Sequence, residues 1–557
     1  VHAMSNADYI SGKCLGSLKL FLKVEFLFLG CIALINILAA DGPFNFFFYL
    51  YYPLTVSLPA FVFVIGISYF LASVFGNPSL SMIAVIAFVI IDLSYLNEVS
   101  YGIADITCIQ TAAVFSDATK TMAHPLPFVW KQSLILFSGI GFIFLTTAMF
   151  KRIPNSHIRK RLNTACGLSF LLIAGICAFL YLRQFQSTAE KRKAYIATYK
   201  KFDGHPTVDI RENEMEINIG PKEIKTVSAL KISNSSDKNI SAILLFLNPG
   251  LKIEEIRING EKTLYKRENQ AVVIEYGLAA WDTCNTRISY SGKIEEAISY
   301  TDIDSSEFFR PKKLKEPLIL GERYAYTGDF TLLCPETLWY PRAQAPENPI
   351  SVYETVREFT LFKLKVKTHK AQTVISQGKK REEEGYTVFE NENPLEGVNL
   401  IAGPYTERRL KTGDTEYAFF SLKGKNPLIE GLEKNRDTLP ALIKEIRKET
   451  EGNIGISYPF KRFSIVEVPV HFYGYYRPWK NHTSFAAPEL ALLPEKGATI
   501  PHFDMPGIIR MEKMEQMQEV SNQEMEYKIL KRILNRILFE KNENIIFFMV
   551  LFIRRRS

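Results

Sequence analysis

The sequence predicts a membrane α-helical bundle of five spans, followed by a β-rich sandwich or saddle domain and the start of an α/β domain. Three observations carry this reading. Residues 1–182 contain long uncharged apolar runs, including fifty consecutive residues, Gly42 to Ile91, without a charge. From His205 onward the texture changes to short apolar–polar alternations separated by turn residues. Beyond residue 411 an amphipathic helical pattern is followed by the strand-like run FSIVEVPV.

The spans are placed at residues 20–40, 52–75, 79–96, 128–150 and 163–182. A segment of ~20 apolar residues rises ~30 Å as a helix, the thickness of the hydrocarbon core. Gly76-Asn77-Pro78 divides the fifty-residue run, and Pro53 and Pro59 delay or kink the helix before it. The last span, Asn163–Leu182, is twenty residues without a charge. Glu25, Asp92 and Lys131 lie near span ends and read as solvated interface residues rather than as an ion or proton relay.

Charge orients the bundle. The connection 151–161 holds Lys151, Arg152, Arg159, Lys160 and Arg161 and no acid, whereas the connection 97–127 carries Glu98, Asp105 and Asp117 against Lys120. The positive-inside rule puts the N-terminus and 151–161 in the cytoplasm and everything after about 183 outside. The basic residues Arg183, Lys191, Arg192, Lys193, Lys200 and Lys201 resist that assignment.

The domains expected are an entry segment 1–19, a helical region 20–182, a charged helical linker 183–202, a β-domain 203–410, a partial α/β domain 411–541 and a short apolar and basic tail 542–557. Strands are expected at 207–217, 223–232, 240–247, 271–276, 286–291, 355–368, 372–376, 387–390, 399–403 and 463–470. Helices are expected at 427–451 and 507–541. The net charge is +8, yet no basic stripe with interleaved aromatics marks a nucleic-acid surface. Seven cysteines form no CxxC pair. Cys284 and Cys334 stand either as one disulfide or as two thiols.

Two resemblances follow from motifs. Tyr9-Ile10-Ser11-Gly12-Lys13-Cys14-Leu15-Gly16 before an apolar helix resembles the Y-x-x-G-K-x-x-G entry to the third helix of ABC-2-type exporter permeases. That resemblance implies a chain truncated at its start, a bacterial cell (inner) membrane location and a homo- or heterodimer of permeases. It also implies a separate ATP-binding cassette ATPase subunit docking on 1–19 and on the 151–161 loop. The chain has no G-x-x-x-x-G-K-[ST] phosphate cradle, so ATP would act through that partner.

Trp339-Tyr340-Pro341, then Val374-Ile375-Ser376-Gln377-Gly378 and Leu400-Ile401-Ala402-Gly403-Pro404-Tyr405, resemble the N-terminal β-domain of aminopeptidase-N-like gluzincin metallopeptidases. Tyr458-Pro459-Phe460 with Phe463–Pro469, then Ala487–Glu495, resemble the start of their catalytic domain, and by that resemblance 411–541 is the start of an α/β peptidase-like domain. These enzymes hold zinc with H-E-x-x-H, two His one helical turn apart and a water-activating Glu. This sequence has no H-E-x-x-H, so neither a catalytic zinc nor peptide hydrolysis is expected of it. Glu489 stands in the place of the family's substrate-amine carboxylate, but a solvated loop residue is the preferred reading. Arg477, Trp479 and His482, with Tyr473, Tyr475 and Tyr476, either line a peptide groove or pack as an aromatic loop on the β-domain. The functional expectation is a permease subunit with a non-catalytic aminopeptidase-like module outside the membrane. The alternatives are a membrane-anchored metallopeptidase whose zinc site lies in further C-terminal sequence, and a non-enzymatic scaffold or receptor.

Overall fold

The computed structural model describes residues 4–38, 45–94, 100–103, 115–122, 125–151, 156–302, 322–345, 349–350, 358–422, 437–470, 472 and 486–495, together with 524, 527, 528, 530, 531 and 534. The chain divides into two compact units. One holds the N-terminal helices up to Glu190; the other holds Lys191 onward together with the segment around Phe115–Met122.

In the first unit, α1 runs Asn6–Leu38, so the expected entry segment is continuous with the first span. α2 (Phe46–Tyr52) passes through a π-helical turn at Pro53–Ser57 into α3 (Leu58–Phe75), which ends at left-handed Gly76. The turn falls at Pro53, where the missing N–H interrupts regular pairing. α4 is Pro78–Ser94, α5 Pro125–Met149 and α6 His157–Lys201.

Among the described residues, four helical stretches are long and apolar enough to cross a membrane: Asn6–Leu38, Phe46–Phe75, Pro125–Met149 and His157–Lys201. This corrects the expectation of five. The third expected span, 79–96, is α4, only 17 residues from Pro78, or ~25 Å of rise. α3 and α5 approach at glycines: a Cβ on Gly66 would lie 2.3 Å from the Gly139 carbonyl oxygen, and one on Gly139 2.6 Å from the Phe63 Cα. Small residues permit this backbone approach between apolar helices. Asp92 and Lys131, expected at a solvated interface, are instead buried, Lys131 at 0 % exposure. Periodicity alone does not reveal this burial.

The second unit opens with the end of α6. Lys191 pairs with Glu295 at 2.5 Å, Arg192 donates to the Tyr300 carbonyl and Lys201 pairs with Glu268. Three of the six cations that oppose the charge rule therefore dock this helix end on the β-domain.

β1 (Asp209–Ile219), β2 (Ile224–Ser233), β4 (Leu251–Ile258), β5 (Glu261–Lys262), β8 (Thr283–Gly292), β11 (Leu361–Thr368), β13 (Lys379–Glu383) and β14 (Tyr386–Glu390) make one eight-stranded sheet. Its order is β13-β14-β11-β1-β2-β8-β4-β5, with β1 parallel to β11. β3 (Ile243–Phe246), β6 (Tyr265–Glu268) and β7 (Ala271–Ile274) form a three-stranded sheet. β9 (Tyr324–Tyr326), β10 (Thr331–Leu333), β12 (Thr373–Ile375) and β15 (Leu400–Gly403) form a four-stranded one. The inward residues of these sheets, such as Met215, Ile217, Ile232 and Leu364, share one core. Outward positions carry ion pairs such as Glu214 with Lys363 and Lys365.

A separate five-stranded sheet has the order β16-β17-β18-β20-β19: β16 Thr406–Thr412, β17 Thr415–Ser421, β18 Arg462–Val468, β19 Ala486–Ala487 and β20 Leu490–Pro494. β17, β18 and β20 are parallel. β16 belongs here although the expected β-domain extended to 410. α7, Leu439–Ile454, packs Leu439, Leu442, Ile443 and Ile446 on this sheet with Leu530 and Leu534. It is the helix expected at 427–451, whose residues 427–436 lie outside the described residues. It ends at left-handed Gly455, whose N–H bonds the Glu451 carbonyl.

Candidate functional site

The motif residues form structural joints rather than an open cleft. Trp339 is fully buried and donates its Nε1–H to the Val398 carbonyl at 3.3 Å. The Tyr340 hydroxyl accepts the Val398 N–H at 3.2 Å, and its ring stands edge-on to Trp339 and Phe362. The segments 374–378 and 400–405 meet as β12 and β15, with Val374 opposite Ala402. Tyr458 and Phe460 pack together beside Phe463.

Glu489 lies in the tight turn between β19 and β20 with φ +64, a left-handed conformation costly for a residue with a Cβ. It is 4 % exposed, so the solvated reading is corrected. Oε2 accepts the Gly378 N–H at 2.6 Å, and Oε1 lies 3.5 Å from the Arg462 guanidinium. Burial pushes its carboxyl above the usual range, against the opposing pull of Arg462 and Gly378. Gly378 has φ +102 and would place a Cβ 2.8 Å from Glu390, so a glycine is required for this approach. The carboxylate that the sequence singles out is thus engaged by its own protein.

Sequence reasoning missed three further carboxylates: Glu467 and Glu495, buried at the other end of the same sheet, and the partly buried Glu296 of the short helix Glu296–Tyr300. Glu467 accepts the Leu422 N–H at 2.7 Å. Glu495 accepts N–H groups from Asp117, Ala118 and Val470 at 3.0, 3.2 and 3.0 Å. Glu296 accepts the Arg323 N–H, and burial together with the charge of Glu322 raises its carboxyl well above the usual range. Arg323 is itself buried, its guanidinium 4.6 Å from the Phe472 ring centroid. A signal existed for two of them. Glu467 interrupts the apolar run FSIVEV and Glu495 ends LALLP, and a charge inside a strand pattern is a buried charge that needs partners.

Of the remaining expected site residues, Arg477, Trp479, His482 and Arg152 lie outside the described residues. Lys151, Arg159, Lys160 and Arg161 are exposed, the last three on the first turns of α6. Among the described residues no group of His, Cys, Asp and Glu is arranged to hold a metal ion. Cys284 and Cys334 are free thiols buried in different clusters. The arrangement offers buried carboxylates that fix backbone N–H groups.

No family model and no curated protein matches the chain. Among solved structures it is similar to the M1 zinc metallopeptidase from Deinococcus radiodurans, at 13% identity and TM-score 0.37, over 52% of this chain and 61% of that one. It is also similar to native yeast LTA4 hydrolase, at 11% identity and TM-score 0.37, over 55% of this chain and 43% of that one. The chain therefore spans less than two thirds of either protein. Neither match concerns a transporter permease.

Proposed function

We propose that this chain is the permease subunit of an ABC-type transporter, carrying a non-catalytic aminopeptidase-like unit on the outer side of a bacterial inner membrane. The observation that carries the non-catalytic part is the state of Glu489. Its carboxylate is spent on Gly378 and Arg462, and the sequence supplies no H-E-x-x-H to place a zinc ion before it. The permease part rests on the apolar helices and on the Tyr9–Gly16 motif at the start of α1. In this reading the second unit binds or presents a substrate, and ATP is hydrolysed by a separate cytoplasmic subunit that meets the exposed Lys151, Arg159, Lys160 and Arg161.

The test is purification of the full chain from its native membrane, with zinc content and ATPase activity measured on the same sample. The expected outcome is less than one-tenth equivalent of zinc and an ATPase that co-purifies and loses its association on charge reversal of Arg159, Lys160 and Arg161. Stoichiometric zinc with aminopeptidase activity would replace this reading by a membrane-anchored metallopeptidase. Neither zinc nor an ATPase would leave a scaffold or receptor.

A further inference from the structure

Residues Phe115–Met122 come from the connection between α4 and α5, yet they fold as part of the second unit. They form a small hairpin. Phe115 bridges Met122, the Ser116 N–H donates to the Thr121 carbonyl at 2.9 Å, and Lys120 at the tip has φ +57.

The second unit meets this hairpin with three separate elements. Glu495, 1 % exposed, accepts the successive N–H groups of Asp117 and Ala118 on Oε2 and the Val470 N–H on Oε1. One carboxylate thus ties the hairpin to the residues following β18. Ala118 is buried in the cluster of Phe330, Leu332, Phe472 and Leu492. Asp329 pairs with Lys120 at 3.2 Å and with Lys370 at 2.6 Å. Glu495 and Val470 both follow the carboxyl ends of parallel strands, the place where open α/β sheets receive ligands. An ionised carboxylate accepting backbone N–H groups makes hydrogen bonds about twice as strong as neutral ones.

We infer that the second unit carries a peptide-docking site, built on Glu495, Asp329 and the apolar floor between them, that holds the 115–122 hairpin as an intramolecular ligand. Its recognition is of a tight turn that presents two successive N–H groups, a small buried side chain and a cation. This site is independent of the charge rule. It rests on the geometry of the second unit and not on the transport reading.

The experiment uses the full chain in detergent, with 115–122 replaced by a Gly-Ser segment of equal length, and a synthetic peptide covering 114–123 as the probe. The expected result is saturable binding to the replaced chain, at least tenfold weaker binding to the intact chain, and a tenfold loss when the replaced chain also carries Glu495→Gln. A Lys120→Glu peptide should bind more weakly, because it faces Asp329. Hydrogen exchange supplies a second readout on the otherwise native chain. Glu495→Gln should speed exchange at the Asp117 and Ala118 amides by tenfold or more while β1 and β2 amides keep their protection. No binding to the replaced chain, equal binding to both chains, or unchanged exchange at Asp117 and Ala118 would overturn the inference.

Discussion

Gly139→Ala should loosen the helical unit, and the size of the effect follows from the geometry. The added Cβ would sit 2.6 Å from the Phe63 Cα and N and from the Val62 carbonyl carbon, all backbone atoms of α3. Ordinary contact begins near 3.4 Å, so the two helices must part by about 0.8 Å. Backbone cannot rotate aside as a side chain does, and the shift spreads to the facing pair at Gly66. Overpacking of this kind costs about 1–3 kcal/mol, enough to change the folded-to-unfolded ratio by roughly 5- to 160-fold. Gly175→Ala is the matched control, since its Cβ would meet nothing within 4 Å in the same helical unit. There the better helix propensity of alanine adds up to about 1 kcal/mol. Cys14 and Cys177 are buried free thiols of this unit, so the temperature at which each reacts with a maleimide, mapped by mass spectrometry, reports its opening. Gly139→Ala should lower that temperature and Gly175→Ala should not. Equal temperatures for Gly139→Ala and the parent chain would refute close α3–α5 packing.

Three further outcomes concern the second unit. Glu296 has its carboxyl raised by burial, so its folded form holds a proton that the unfolded chain releases above pH about 4.5. The stability it confers is full below that pH and is lost as pH rises toward the folded value. Glu296→Gln should therefore show a flatter pH profile in thermal melts and be the more stable protein at pH 7; a parallel pair of profiles would count against it. Trp339→Ala should cost about 3–5 kcal/mol in denaturant unfolding, from the lost core volume and the Val398 bond. Gly378→Ala, forced to φ +102 with its Cβ 2.8 Å from Glu390, should cost at least about 1–3 kcal/mol in the same assay. It should also free Arg462 for reaction with a dicarbonyl reagent, by moving Gly378 away from Glu489. A Gly378→Ala chain as stable as the parent would argue against this turn.

The apolar helices were legible because a span is written in composition. Four of the five expected spans correspond to long helices; α4 failed because Pro78 sets a start that leaves it 17 residues long. Most strands of the β-domain were legible from alternation, and β12 with β15 from their motifs. β4, β5, β6, β9, β10, β13, β16, β17 and β19 escaped notice. In KKREE and TERRLKT, charges crowd both faces at a sheet edge, and the apolar signal fades. The basic run in the second half of α6, Arg183–Lys201, hid a role of a different kind. It reads as topology, but Lys191, Arg192 and Lys201 are consumed by Glu295, Tyr300 and Glu268.

Sequence by itself determined the two textures of this protein and the order of its elements, because hydrophobic periodicity is a local property. It also determined that no H-E-x-x-H is present. Only the tertiary structure decided the fate of the carboxylates. Glu489 is closed off by Gly378, 111 residues away, and Glu495 seizes the N–H groups of residues 377 and 378 positions earlier. A carboxylate that bonds backbone asks nothing of its partner's side chain, so the Asp117–Ala118 turn carries no residue signature of its bonds to Glu495.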